Sequence, residues 1–321
     1  MMHSKRFFSW TAGICAAGLM LASGAMAQQR QRTTPNPADV QKMESALPAQ
    51  AQDKPRAQRH VLVFGRTGPK TAWDHDGGGF IHSSIPLGCA TIKAIGDKTG
   101  AYQADVSYDP TVFDGNGLDK YDAVVLVSTT HNFLADPKDE AISKKRIENL
   151  LSFVKGGKGL AGFHAACDAY YHVPEYGQMM GGYFSGHDGQ KELIQVVNDD
   201  PKSPISEAFG GQGFEYRDEI YRFLRTGAAT GGQVFSPSKV HLLLSVDVDK
   251  NHNEKPGTVM PVSWIHEFGK GRVFYNSLGH NEYVWWDPKI LKFDLAGIQY
   301  VLGDLKADDS TPGTSKTASA K

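Results

Sequence analysis

Cysteine is scarce in this chain: three in 321 residues, and one of them, Cys15, falls in an apolar leader. That excludes a disulfide-stapled scaffold and a four-cysteine zinc site. The remaining pair, Cys89 and Cys167, is expected as two buried free thiols. Charge of one sign is also missing. Lys and Arg number 34 against 35 Asp and Glu, for a net charge of −1 and a pI near 6.9, so nothing electrostatic favours a nucleic acid or a membrane surface as partner. Beyond the leader no apolar run is long enough to span a bilayer, and no internal repeat occurs. Short catalytic signatures are lacking too. There is no G-x-S-x-G and no H-E-x-x-H, and Gly156-Gly157-Lys158-Gly159 has neither the spacing nor the trailing Ser/Thr of a P-loop, so no nucleotide cofactor is expected. Asp247-Val248-Asp249 with Asn251 and Asn253 lacks the glycine and final glutamate of a calcium loop and reads as a turn.

What the chain does contain begins with a targeting signal. Lys5 and Arg6 precede a largely apolar Phe7–Ala22, and Ala25-Met26-Ala27 fits a small-x-small cleavage site. Its apolar core is short and glycine-interrupted for a membrane anchor. Residues 1–27 are therefore read as a signal peptide and the protein as exported, to the periplasm, with no membrane association after cleavage. Residues 28–58, rich in Gln, Pro, Ala and charge, read as a flexible linker in which 38–47 could form a helical turn or more. Residues 59–305 carry the folded pattern, and 306–321, rich in Ser, Thr, Lys and Ala, read as a disordered tail.

Within the folded part, apolar runs alternate with amphipathic stretches. His60–Gly65, Tyr102–Tyr108 and Tyr121–Val127 read as strands. A helix is expected to start after His82-Ser83-Ser84, with a serine cap, Pro86 in its first turn and Ile85, Cys89, Ile92 and Ile95 on one face. Lys138–Lys155 reads as an amphipathic helix with Ile142, Ile147, Leu150, Leu151 and Val154 inward. Later strands are expected at 193–198, 241–248, 259–267 and 271–276, the last two joined by the hairpin Phe268-Gly269-Lys270; 214–224 reads as a strand or an ordered excursion, and 289–302 as a helix. Strands alternating with helices imply an α/β fold with a parallel sheet and right-handed crossovers.

One stretch stands out. Gly159-Leu160-Ala161-Gly162-Phe163-His164-Ala165-Ala166-Cys167-Asp168 reads as a buried strand that delivers a histidine at its carboxyl end into a small-residue turn. His164 takes the place that a nucleophile-elbow enzyme gives to its serine or cysteine. His82, His187 and His280 likewise sit beside glycines or serines at loop-like positions.

These blocks resemble a known family. Phe163-His164-Ala165-Ala166, Gly181-Gly182-Tyr183-Phe184-Ser185-Gly186-His187, Asp218-Glu219-Ile220-Tyr221, Pro261-Val262-Ser263-Trp264, Gly269–Tyr275 and Leu278-Gly279-His280 are similar, in one consistent order over about 59–305, to the signature blocks of ThuA-like (trehalose-utilisation) proteins. His82-Ser83-Ser84-Ile85-Pro86 resembles the family's early histidine block. The resemblance implies a class I glutamine-amidotransferase-like fold: a flavodoxin-like three-layer α/β/α sandwich with a mostly parallel sheet and added C-terminal strands. It also implies a role in sugar or keto-sugar catabolism. The nucleophilic cysteine of the amidotransferases is replaced by His164, so glutamine hydrolysis through a thiolate is not expected, and Cys167 should point away from the elbow tip.

Imidazoles and a carboxylate suit either proton transfer or a divalent cation. His164, His187, Glu219 and His280 are therefore the catalytic candidates. His82, His164, His187 and His280 are candidate ligands for zinc, manganese or iron. Tyr170, Tyr171, Tyr283, Trp285 and Trp286, together with His82, are candidate sugar contacts, whereas Trp264 and Tyr275 read as core. Asp74-His75-Asp76 reads as a solvated loop. Two functions remain open: an enzyme (lyase, isomerase or hydrolase) acting on a glycoside or keto-sugar, and a sugar-binding protein using the same pocket. A small-molecule carbohydrate is the expected partner. A homodimer is compatible with the fold and required by nothing in the chain.

Overall fold

Nine strands form one mixed sheet in the computed structural model, which describes residues 30–73, 78–223, 235–251, 255 and 257–311. The strands are β1 (His60–Phe64), β2 (Gln103–Ser107), β3 (Ala123–Val127), β4 (Gly159–Phe163), β6 (Glu192–Asn198), β7 (Phe214–Asp218), β9 (His241–Val246), β10 (Pro261–Phe268) and β11 (Gly271–Asn276). Their order is β2-β1-β3-β4-β11-β10-β9-β6-β7. From β2 to β11 neighbours run parallel, and from β11 to β7 antiparallel. A separate two-stranded ribbon pairs β5 (Phe184–Gly186) with β8 (Arg222–Phe223).

The continuous apolar runs follow from burial on both faces. Val61 and Val63 of β1, and Val125 and Val127 of β3, face one layer; Leu62, Phe64, Val124 and Leu126 face the other. The first layer is built by α1 (Pro37–Ala46), α2 (Ile85–Thr99) and α5 (Pro288–Val301). The second is built by α3 (Glu140–Lys155) and α4 (Pro174–Met180). Glycines permit the close approaches: a Cβ at Gly297 of α5 would lie 2.5 Å from the Phe274 ring.

Several sequence expectations are corrected here. The stretch read as a flexible linker is folded against the domain. Asn36 caps α1 by accepting from the Ala38 N–H, Met43 is buried against α2, and the Gln31 amide both donates to Gly65 O and accepts from Thr67 N. Further on, Gln52 N donates to the Gln299 side chain, and Arg59 makes a forked ion pair with the fully buried Asp304. The polar composition was misleading because these residues spend their polarity on the domain's own backbone and carboxylates. The first part of the tail is likewise engaged: Asp309 accepts from Tyr300 OH, and Ser310 O contacts His241 Nδ1. The leader, Asp74–Asp76 and residues 312–321 lie outside the described residues.

Ile142 is exposed rather than inward, in the first turn of α3, where its N–H donates to the capping Asp139. Ser84 stands at the N-cap of α2, but its hydroxyl donates to Gly279 O instead of capping, tying α2 to the loop after β11. The stretch 214–224, read as a strand or an ordered excursion, is strand in two pieces, β7 and β8, with Glu219–Tyr221 between them; Leu224 lies outside the described residues.

The packing of α1 yields the first prediction. Met43→Ala should destabilise the domain by about 2–4 kcal/mol, the usual cost of emptying a buried methionine site. Chemical denaturation of the two proteins checks this. A free spacer would give no shift.

Candidate functional site

The parallel strands end on one rim of the sheet, and the chain leaves β1 and β3 in opposite directions, which opens a crevice there. His164 stands at the tip of β4 with φ +48°, a left-handed backbone that L residues adopt only at a cost of about 1–2 kcal/mol. Small neighbours make the turn possible. A Cβ at Gly162 would lie 2.5 Å from Met180 Cε, and one at Gly279 (φ +140°) would lie 3.3 Å from His164 Cβ. Tyr275 OH donates to His164 O from the adjacent strand β11. Cys167 Sγ lies 3.0 Å from that same hydroxyl, buried and turned away from the tip as expected. Both Cys89 and Cys167 are free and buried, and burial pushes the Cys89 thiol up to about 12 and Cys167 higher still.

His164 is fully buried, and its Nδ1 lies 2.9 Å from Ser277 O. A carbonyl can only accept, so Nδ1 carries a proton; Nε2 donates to the Glu219 carboxylate when the ring is charged and offers a lone pair to a cation when it is neutral. That Nε2 lies 3.3 Å from Glu219 Oε2 and 3.3 Å from His280 Nδ1, while His280 Nδ1 lies 3.0 Å from the same carboxylate oxygen. On the solvent side His187 Nε2 is 3.3 Å from Glu219 Oε1, with its side chain 36% exposed. His82 closes the group edge-on, ring centroids 4.9 Å from His164 and 5.3 Å from His280. Its buried Nδ1 has no hydrogen-bond partner. Burial, and then the neighbouring imidazoles, hold its pKa well below the ordinary histidine value. Burial alone would raise the Glu219 carboxyl, but hydrogen bonds from His164 and His280 outweigh it and hold the group far below the usual range. Glu219 is a buried anion among imidazoles.

The neighbouring carboxylate has a different task. Asp218, fully buried at the end of β7, accepts from Gly279 N (2.7 Å), His280 N (3.3 Å), Asn281 N (3.2 Å) and Asn281 Nδ2 (2.7 Å). Burial raises its pKa, against the pull of His164 and of these N–H groups. It fixes the loop that carries His280. Asp218 stands in a family block in the sequence without a role of its own; the available signal is a second acid at the end of a strand.

Which candidates come together is now clear. One ligand atom each from His82, His164, Glu219 and His280 lie within 4.8 Å of one another. His187 stands apart from that set, on the other oxygen of Glu219, so the expected four-histidine group becomes three histidines and a glutamate. The aromatic candidates mostly lie elsewhere. Tyr170 is buried under α3, its OH accepting from Leu134 N, and lines a separate cavity of about 560 Å³ with His172, Trp73 and Ile147. Tyr171 is half-buried and donates to Asp168 Oδ1 (2.7 Å). The helical turn Glu282–Trp286 rotates Trp285 inward, where it is fully buried with Nε1 donating to Gly279 O (3.1 Å). The same rotation sends Tyr283 and Trp286 outward, to a groove shared with Tyr216 and Arg217. Trp264 and Tyr275 are core, as expected.

Behind the site, Asn276 Nδ2 donates to Asp294 Oδ1 (2.8 Å), and Asn276 Oδ1 accepts from Leu278 N (3.1 Å). Burial first, and Asp287 second, raise the Asp294 carboxyl to about 8. A folded pKa above the unfolded value of about 4 means that the native state holds the proton longer. Stability should therefore fall as pH rises from about 4 to about 8, by at most about 1.4 kcal/mol per pH unit. Asp294→Asn keeps an oxygen for Asn276 and should flatten that slope, which thermal melts between pH 5 and 9 measure; parallel slopes would refute it.

An open sheet with helices on both faces and a polar cluster beyond the ends of its parallel strands is a flavodoxin-like α/β domain. The family model ThuA, described as trehalose utilisation, matches residues 71–301, and the chain belongs to that family. Among solved structures, a thua-like protein from Bacteroides uniformis superposes with TM-score 0.55 at 18% identity, covering 79% of this chain and 96% of that one. A thua-like protein from Parabacteroides merdae gives TM-score 0.52 at 14% identity, covering 80% and 98%. At these identities the likeness establishes the fold. No curated protein matches the chain. Family membership links the chain to carbohydrate utilisation.

Proposed function

We propose that this ThuA-family domain is an exported sugar-active enzyme (a lyase, isomerase or hydrolase) that moves protons on a glycoside or keto-sugar at the Glu219 cluster. One observation carries the reading: a buried, ionised glutamate shared by His164 and His280 from within and His187 from solvent. His187 is the member a substrate reaches first, and Glu219 orients its ring, which suits His187 to act as general base. A keto group acidifies the neighbouring C–H, so a positioned base and a cationic or hydrogen-bonding partner for the developing oxyanion suffice.

His82, His164, Glu219 and His280 also fit a divalent cation. The separations of 3.0–3.3 Å between His164 Nε2, His280 Nδ1 and Glu219 Oε2 are close to the ~3.4 Å between two ligands of a tetrahedral ion at 2.0–2.1 Å. His164 Nδ1 on Ser277 O is the backbone contact that orients a ligating imidazole, and the buried His82 nitrogen lacks a partner. A bound zinc, manganese or iron would supply positive charge for an enediolate or alkoxide oxygen. The leader Lys5–Ala27 supports export.

The test combines metal analysis of the purified protein with a His164→Ala variant. Near-stoichiometric metal that falls in the variant is the expected result. Protein that stays metal-free after incubation with zinc or manganese would refute the metal component. Retained sugar binding with lost turnover in His187→Ala supports the enzyme; loss of binding alone would leave a sugar-binding protein.

A further inference from the structure

Phe80 is the most exposed large apolar side chain among the described residues, at 57%. An exposed phenylalanine on a flexible loop would carry little meaning. This one is fixed in place. Its carbonyl accepts from Thr67 Oγ1 (3.3 Å) and Thr130 Oγ1 (3.1 Å), and Gly79 N donates to Gly68 O (2.9 Å). A Cβ at Gly79 would lie 2.2 Å from Thr130 Oγ1, so only glycine lets the segment lie this close to the end of β3. The backbone is pinned and the ring is left in solvent.

The ring stands over the cluster. It meets His82 edge-on at 4.8 Å between centroids and lies near-parallel to His280 at 6.4 Å and 22°. On the other flank Tyr221 packs against His164 (4.3 Å), Phe184 against Tyr221 (4.2 Å), and Phe184 lies near-parallel to His187 (6.0 Å, 27°). The polar cluster thus lies between two aromatic flanks, one built on the buried Tyr221 and half-buried Phe184 and one with a ring open to solvent. A phenyl ring offers no hydrogen bond, and its negative face suits a flat array of C–H groups.

We infer that Phe80 is the stacking platform for a cyclic sugar: the apolar face of a pyranose lies on its ring and the hydroxyl edge turns to Glu219 and His187. The inference rests on the sugar-active reading above and adds its ligand geometry, a closed six-membered ring rather than an open-chain polyol or sugar acid. Phe80 selects and positions the substrate.

Calorimetric titration of the full chain, loaded with zinc or manganese, tests this, with trehalose and methyl α-D-glucopyranoside as cyclic probes and sorbitol as the acyclic one. Wild type should bind a cyclic probe and not sorbitol. Phe80→Ala and Phe80→Leu should each bind at least tenfold more weakly at unchanged metal content and melting temperature, whereas Phe80→Tyr should bind as wild type does. The leucine variant separates an aromatic face from mere apolar bulk. Equal binding by wild type and Phe80→Ala would overturn the platform and leave the sugar-active reading standing, and so would equal binding of sorbitol. Wild type that binds no cyclic probe would overturn both.

Discussion

Glu219→Gln should retain the fold and lose the site. The substitution changes no heavy-atom count, yet it removes the one anion that His164, His187 and His280 share. Two imidazole nitrogens, at 3.3 and 3.0 Å, point at one carboxylate oxygen. An amide placed there offers them either a neutral acceptor or an N–H that meets them donor to donor. If the site holds the proposed cation, metal occupancy after dialysis should therefore fall to under about a tenth of wild type, in line with the affinity losses that ligand and supporting-group changes produce. Turnover of any sugar the wild type processes should fall by about 10²–10⁴, the range that positioned acid–base groups contribute. The pH dependence has a definite sign. With its folded pKa held low, Glu219 contributes stability that is complete above the unfolded value of about 4.3 and is lost as pH falls through the folded one. The glutamine variant should lack that acid limb. A variant with wild-type metal content and wild-type turnover would remove the cluster from the mechanism altogether.

The fold was legible in the sequence because burial on both faces leaves continuous apolar runs, and His60–Gly65, Tyr121–Val127 and Gly159–Phe163 all became central strands. His164 was legible for a related reason: a polar side chain after such a run, followed by small residues, has few structural uses except at the sheet's functional rim. Contributions that depend on long-range partners were not legible. Residues 31–58 look like a spacer until Gly65, Gln299 and Asp304 stand beside them. Tyr283, Trp285 and Trp286 follow His280 in sequence, yet a single helical turn sends one into the core and two to another groove. Phe80 looks like an ordinary loop residue, since its rigidity comes from Thr67 and Thr130, 13 and 50 positions away. Pairing Glu219 with the histidines rested on the family block that carries it, Asp218-Glu219-Ile220-Tyr221. Separating Glu219 from Asp218 needed the structure.

That separation is testable. Asp218→Ala should destabilise the domain by about 3–5 kcal/mol, because four N–H groups of the 279–281 loop lose their acceptor in a buried place. For a domain of this size that amounts to roughly 5–9 °C in melting temperature. Asp218→Asn should lose less, since its amide oxygen can still accept from Gly279 or Asn281 while its nitrogen meets the others unfavourably. Metal affinity should fall in both variants with His82, His164, Glu219 and His280 all intact, because the loop that aims His280 is no longer held. Adjacent carboxylates thus differ in place: Asp218, at the end of β7, sets the backbone beneath His280, and Glu219, just past the strand, meets the imidazoles. The two variants differ in pH dependence: Glu219→Gln should lose function together with the stability its ionised carboxylate contributes above about pH 4.3, a loss that shrinks in acid, whereas Asp218→Ala removes the acceptor of backbone N–H groups that do not titrate. Calorimetric melts and metal titrations of the two variants side by side decide it. An Asp218→Ala protein as stable as wild type would mean that the 279–281 loop is held by other contacts, with Ser84 Oγ on Gly279 O and Trp285 Nε1 on the same carbonyl as the first to examine.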